Sequence, residues 1–236
     1  MIHKIKNKLL SLTRPEGRPN ESYSQCGEDL IMRYLLYQLG INNPHFIDIG
    51  AHHPKILSNT YLFYRGGATG VNIEPDPELI AGFYKTRPRD INLHAGVSFD
   101  GQENEQDFFI MTASPLNTFS REEVERITSY GTHKLRQTVR VKTLNINNVL
   151  CAYPAAGVTD LISIDIEGLD FAVISQIDFS RYRPRVICVE TLSYTEDKSD
   201  TKNTELITYL ENQGYMVYAD TFINTIFVNR YDWDKR

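Results

Sequence analysis

The stretch "HFIDIGAHHPKILSNTYLF", His45 to Phe63, decides the fold. It joins a short apolar run to an acid, a single glycine, two adjacent histidines and a polar "SNT" that opens a helix. A run bounded in this way reads as a buried strand that turns into a helix, the unit from which open α/β sheets are built. Such sheets bind ligands at the carboxyl edge of their strands, where Asp48, Gly50, Ala51, His52 and His53 fall.

Upstream, "CGEDLIMRYLLYQLG" places Leu30, Ile31, Tyr34, Leu35 and Leu39 on one helical face, with Glu28 and Asp29 in the first turn and Gly40 as the stop. Downstream, a helix ends near "YRGGA", "TGVNIEPDP" is a second strand closed by Glu74, a helix covers Leu79 to Lys85, and "DINLHAGVS" is a third strand. Two parallel strands joined by a helix make a βαβ unit of right-handed crossover.

The rhythm then breaks. "QDFFIMT" and "TVRVKTLN" are strands around the polar "ASPLNTFSREEVERITSYGTHKLRQ", with a helix from Arg121 to Thr128. So long an interruption is usually functional, and it reads as a lid inserted at about 106–144. "TDLISIDIEG", "LDFAVISQI", "PRVICVET" and "NTELITYLENQG" resume the alternation, with apolar runs typical of strands buried on both faces. "YMVYADTFINTIFVNR" turns at Thr221 to Asn224 and reads as an antiparallel hairpin closing the sheet. The expectation is a single α/β domain over 22–236, preceded by a basic segment over 1–21.

The chain has 236 residues, 41% of them hydrophobic, enough for one full core. Its 25 basic and 30 acidic residues leave a net charge of -5, which argues against nucleic acid as a partner. Cys26, Cys151 and Cys188 lie far apart with no paired spacing, so neither a zinc site nor a disulfide framework is indicated and a cytoplasmic location is expected. No apolar run is long enough to span a bilayer. Lys4, Lys6 and Lys8 alternate with Ile2, Ile5, Leu9 and Leu10, a pattern that suits either a frayed basic helix or peripheral contact with a membrane surface.

A dinucleotide turn needs several glycines around its pyrophosphate, and this turn has Gly50 alone, crowded by Ala51, His52, His53 and Pro54. No Gly-Lys-Ser/Thr ending marks a P-loop. Asp48 would repel phosphate yet attract an ammonium group, and Glu74 stands where a carboxylate grips both hydroxyls of a ribose. A ligand with a ribose, an amino-acid head and no phosphate is S-adenosylmethionine.

Taken in order, "SYSQCGEDLI", "FIDIGAHHPKILSNTYLFY", "GVNIEPDP", "LNTFS", "LISIDIEGLDFAVI" and "RPRVICVE" resemble the FkbM family of S-adenosylmethionine-dependent methyltransferases, from about Ser22 to Glu190. The resemblance implies a class I methyltransferase, Rossmann-like sheet, mostly parallel with one reversed strand, and methyl transfer to a hydroxyl oxygen. It also implies a carbohydrate acceptor of the kind used in surface polysaccharide synthesis, free or nucleotide-linked.

By motif, the cofactor set is Asp48, Gly50 and Ala51 near the methionine moiety, Glu74 on the ribose and Ser98 near the adenine, with Gln25, Glu28 and Asn59 closing the methionine end. Asn59 or Ser58 could equally be a helix N-cap. Transfer needs a base near the fourth and fifth strand ends, where Asp165 and Glu190 stand, with Asp165 favoured as proton acceptor. His52 and His53 are rival bases, and His53 could instead pin its loop. Glu167 fits a substrate contact or an acid offsetting a helix dipole, and Asn117 and Thr118 fit sugar contacts or a capped turn. Asp165, Glu190 and His53 also make a ligand set for a divalent metal, which the resemblance does not require. A cofactor-binding scaffold or regulator without chemistry, and a methyltransferase acting on a lipid or polyketide hydroxyl or on an amine, remain alternatives.

Overall fold

The computed structural model describes residues 21–153, 159–193 and 201–236. The expected basic segment, and the membrane contact read from it, lie outside the described residues but for Glu21. Among the described residues no helix is long and apolar enough to cross a membrane.

The chain first lays down β1 (Phe46–Ile49), β2 (Gly70–Glu74) and β3 (Ile91–His94), in parallel pairs. It then leaves the main sheet for β4 (Gly96–Val97), β5 (Glu105–Met111) and β6 (Leu135–Leu144), a three-stranded sheet in the order β4-β6-β5. On return, β7 (Leu161–Ile164) and β8 (Val186–Glu190) extend the main sheet on the far side of β1. A short pair follows, β9 (Leu192–Ser193) with β10 (Thr201–Lys202). The hairpin of β11 (Tyr215–Asp220) and β12 (Asn224–Asn229) ends the sheet, in the final order β11-β12-β8-β7-β1-β2-β3. Only β12 runs against its neighbours, which is the mostly parallel sheet with one reversed strand that the sequence leads one to expect.

Strands β1 and β7 are buried along their whole length because helices cover both faces. Ile47, Ile49, Ile162, Ile164, Ile187 and Val189 face one core, while Phe46, Leu161 and Val186 face another with Met32, Leu35 and Leu36 of the Glu28–Gln38 helix. Period-two alternation puts Asp48 on that second face, in register with Asn72 on one side and Ser163 on the other, and Ser163 with Cys188. A polar seam therefore crosses an otherwise apolar face and ends beneath the point where strand order reverses.

Three expectations need correction. The Glu28–Gln38 helix buries Met32, Leu35 and Leu36 and leaves Tyr34 45% exposed, so its inner face is rotated from the one read in the sequence. The cause is that its acids point inward: Asp29 accepts from Ser22 Oγ at 2.7 Å and Tyr23 N–H at 2.8 Å, and Glu28 from Cys26 N–H at 2.8 Å and Thr221 Oγ1 at 2.7 Å. "DINLHAGVS" is two strands, since the chain turns at Ala95 and Gly96 lies so close to Phe119 that a Cβ would meet the ring at 2.4 Å. The helices Ile146–Ala152 and Arg230–Asp234 are additional to those expected. The insertion's helix spans Arg121–Ser129, and β5 pairs antiparallel with β6 around it.

At the end of β1 the chain must pass β7 closely. Gly50 has φ +73, and a Cβ there would sit 1.9 Å from the Asp165 carbonyl oxygen. Gly27 also has positive φ, +90, but open space around it. Gly27→Ala should therefore cost about 1 kcal/mol from backbone strain alone. Gly50→Ala should cost about 2–4 kcal/mol, strain plus collision. Urea unfolding of both variants checks this, and equal losses would contradict the close approach.

Candidate active site

The carboxyl ends of β1, β2, β7 and β8 open into one cavity of about 420 Å³. That volume suits a small-molecule site. Its floor is Asp48, Gly50 and Ala51, its flanks are Glu74 and the Asp165–Glu167 turn, and its roof is the Ser114–Phe119 segment of the insertion. Leu57 and Phe222, 46% and 63% exposed, also line it.

Glu74 is held by two backbone donors, His52 N–H on Oε2 at 2.7 Å and Asp76 N–H on Oε1 at 2.8 Å. Burial pushes its carboxyl up to about 8, against the pull of those two bonds. Once ionised, the carboxylate offers about four lone-pair sites, so two remain for a ligand. Asp48 accepts from Thr60 Oγ1 at 2.5 Å, and its carboxyl is raised by burial while the nearby Arg87 charge lowers it. Asn59 is buried and donates to Ser163 Oγ at 3.1 Å, whereas Ser58 Oγ accepts the Tyr61 N–H at 3.1 Å, two residues before the N-cap Thr60. Gln25 lines the cavity as well.

Beyond β7 and β8, Asp165, Glu167 and Glu190 each present a carboxylate oxygen within 4.8 Å of the others. They are partly open to the cavity yet shielded from bulk water. Burial raises Asp165 to about 6, helped by the charges of Asp48 and Glu28. Burial and the neighbouring acids hold Glu167 and Glu190 well above the usual carboxylate range, and buried Asp170 is pushed up to about 7. A side pocket of about 70 Å³ adjoins them, bounded by Glu123 and Arg126 of the Arg121–Ser129 helix, which pair at 2.5 Å. Like charges packed this tightly favour a bound cation or a proton shared among them.

Three sequence candidates lie away from the cavity. Ser98 is fully buried and its hydroxyl donates to Asp100 at 2.8 Å, so it is a turn residue. Glu28 is spent on Cys26, Thr221 and Asn224 and supports the hairpin turn instead of reaching a ligand. His53 points out of the cavity and its Nδ1 accepts the Lys55 and Ile56 N–H groups at 3.1 and 2.9 Å, pinning the loop. His52 is the histidine that lines the site, with Nε2 3.0 Å from Ser114 Oγ and its basicity lowered by burial. Asn117 and Thr118 line the roof, but their polar atoms are engaged: Asn117 bridges Met111 N–H and Asp76 at 2.8 and 3.0 Å, and Thr118 Oγ1 donates to the Glu167 carbonyl at 3.1 Å. Leu57, Phe222, Ser114 and Ser163 are site residues that the sequence reading passed over. No spacing rule singles out an exposed apolar loop residue, and Ser163 needed only the strand's alternation to be placed.

A model of the methyltransferase FkbM domain fits residues 48–217. The chain belongs to the FkbM methyltransferase family. No curated protein matches the sequence. Several solved structures are similar to this family member at low identity. A 16S rRNA methyltransferase from T. Thermophilus has a TM-score of 0.43 at 12% identity, covering 91% of this chain and 44% of that one. The 1,6-didemethyltoxoflavin-N1-methyltransferase of Burkholderia thailandensis has a TM-score of 0.43 at 10% identity, covering 96% and 88%. An O-methyltransferase of Bacillus cereus, solved with SAH, has a TM-score of 0.38 at 12% identity, covering 96% and 87%.

The cavity acids have a consequence for stability. A carboxyl whose folded value is raised stabilises the fold below its unfolded value and loses that contribution as pH rises through the folded one. Glu74 near 8 and Asp170 near 7 titrate above the range where His45, His52 and His53, lowered by burial, act. Ligand-free protein should thus lose stability from pH 6.5 to 8.5, and Glu74→Gln should flatten the upper part of that slope. Urea midpoints across the interval check it; a midpoint that climbs with pH contradicts it.

Proposed function

We propose that the chain transfers a methyl group from S-adenosylmethionine to a hydroxyl of a carbohydrate, a sugar or glycan precursor, with Asp165 as proton acceptor. The observation that carries this is the convergence of four strand ends on one cavity, lined by Glu74 and Asp48 and by the clustered carboxylates of Asp165, Glu167 and Glu190. The cavity's acid-rich lining suits a donor carrying a sulfonium and an ammonium charge.

In this reading Glu74 accepts both ribose hydroxyls with the lone pairs left over from His52 and Asp76. Asp48 and Gln25 hold the amino-acid end. Bound there, S-adenosylmethionine supplies an electrophilic methyl carbon on positively charged sulfur. Asp165 takes the proton of the acceptor hydroxyl, and a carboxyl raised to about 6 is still ionised at neutral pH while basic enough to accept it. Glu167 and Glu190 orient neighbouring hydroxyls, for which raised carboxyls can donate as well as accept. The same acids repel a phosphate beside the reacting hydroxyl, so any nucleotide on the acceptor sits away from them.

A second reading is supported by the spacing of Asp165, Glu167 and Glu190, which offers three oxygen ligands to a divalent cation that would acidify the hydroxyl. Activity that survives exhaustive chelation, with no gain from magnesium or manganese, rules that reading out.

Calorimetry should show S-adenosylmethionine binding, and Glu74→Ala should weaken it at least about tenfold. Labelled S-adenosylmethionine, offered with free and nucleotide-linked sugars and followed by mass detection, should give a methylated product. Asp165→Asn should leave affinity within about twofold and lower kcat by about 100-fold or more. The wild-type kcat should rise through about pH 6 to a plateau. Binding without transfer to any acceptor, lipid or amine acceptors included, would favour a scaffold, and normal turnover by Asp165→Asn would remove its assigned role.

A further inference from the structure

Arg87 is fully buried, at the end of the Pro77–Thr86 helix, and its guanidinium faces the rings of Phe46, Tyr64 and Phe83 at 5.2, 5.3 and 5.6 Å. One arm, Nε, donates to Asp90 Oδ2 at 2.8 Å. The other, NH1, donates to Thr60 Oγ1 at 3.0 Å, and Thr60 in turn donates to Asp48 Oδ2 at 2.5 Å. A single buried cation is thus divided between two buried carboxylates, one direct and one through a hydroxyl.

A purely structural pair would not need the second arm. Asp90 already accepts from Gly70 N–H at 3.0 Å and Asn72 Nδ2 at 3.1 Å besides Arg87. Asp48, by contrast, has the hydroxyls of Thr60 and Ser163 on its carboxylate but is otherwise surrounded by groups that disfavour its charge. Glu74 on β2 and Asp165 after β7 are acids, Asp90 lies behind it, and Cys188 on β8 is a neutral buried thiol with Glu28 beyond. Arg87 is the cation set against them. Burying an ionised carboxylate without such a partner is costly enough that the group neutralises instead.

We propose that Arg87 is a positioning residue which, through Thr60, keeps Asp48 ionised and fixed toward the cavity, so that the ammonium end of the donor meets a formed anion. This rests on the S-adenosylmethionine reading above. Arg87 and Thr60 sit at 0% exposure and line no part of the cavity, so they act on a ligand only through Asp48.

Arg87→Met removes the buried cation and threatens the fold, so Thr60→Val is the informative variant, with Thr60→Ser as the rescue that restores the hydroxyl. Affinities for S-adenosylmethionine and for 5′-methylthioadenosine, which has the same ribose and adenine but no amino-acid end, are measured by calorimetry. Thr60→Val should lose about tenfold for S-adenosylmethionine and keep 5′-methylthioadenosine within about twofold, and Thr60→Ser should behave as wild type. The ratio of the two affinities in Thr60→Val should recover as pH is raised, as removing protons restores the Asp48 charge; Glu74 acts on both ligands and cancels. Equal loss of both ligands, or no loss, overturns this proposal alone. A wild type that binds neither overturns the donor reading and this proposal with it.

Discussion

The backbone of Gly50 lies against the carbonyl of Asp165, and the rest of the site depends on that contact. It lets β1 and β7 end side by side, so that an acid from each strand's end reaches the same cavity from different angles. Asp165 N–H donates to the Ile49 carbonyl, while the Gly50 and Ala51 N–H groups both turn to the Ile73 carbonyl of β2. Three strand ends are thereby locked together at the reversal of strand order. A larger residue would force β1 away from β7 and separate Asp48 from Asp165 before any question of ligand contact arose.

The turns around this point are held in conformations that ordinary residues avoid. Among the described residues, His52, Leu57, Glu167 and Phe222 are the non-glycine positions with positive φ, and all four line the cavity. Strain of this kind persists only where surrounding bonds over-determine it. Here they are visible: His52 N–H is held by Glu74, the Glu167 carbonyl by Thr118, and Phe222 N–H by Asp220 at 2.7 Å. The insertion is part of the same restraint, since Asn117 and Thr118 fasten the roof to the cap of one helix and to the turn after β7. The side chains that the sequence suggests as substrate contacts thus also fasten the roof.

How much of this was legible follows from the reach of each signal. Period and punctuation are local, so β1, β2, β7, β8 and the closing hairpin could be read from apolar runs and turn residues, and the acids at their ends with them. Which of two adjacent histidines faces inward depends on a left-handed residue at His52, and nothing in "AHHP" announces it. Ser98 follows the third strand in sequence, yet the departure of β4 into a second sheet carries it away from the edge. Glu28 reads as a first-turn acid and a cofactor contact, but a hairpin almost two hundred residues on supplies its partners, Thr221 and Asn224. The Arg87 relay likewise joins three segments whose spacing carries no pattern.

The electrostatics connect stability to function. Asp48, Glu74, Asp165, Glu167 and Glu190 line one cavity and Asp170 the side pocket that adjoins it, with Arg87 behind the first of them and Arg126 at the margin of the side pocket. Such a site is least comfortable when it is both empty and ionised, because each added charge raises the next. Protonation relieves it, and so does a ligand that brings positive charge. A cationic ligand therefore gains from relief of repulsion as well as from direct contact, and a neutral ligand of the same shape would gain less. In the proposed transfer the donor loses its sulfonium charge while a proton passes to the acids, so the attraction falls once the reaction is complete. The same crowding that weakens the empty fold thus separates substrate from product by charge.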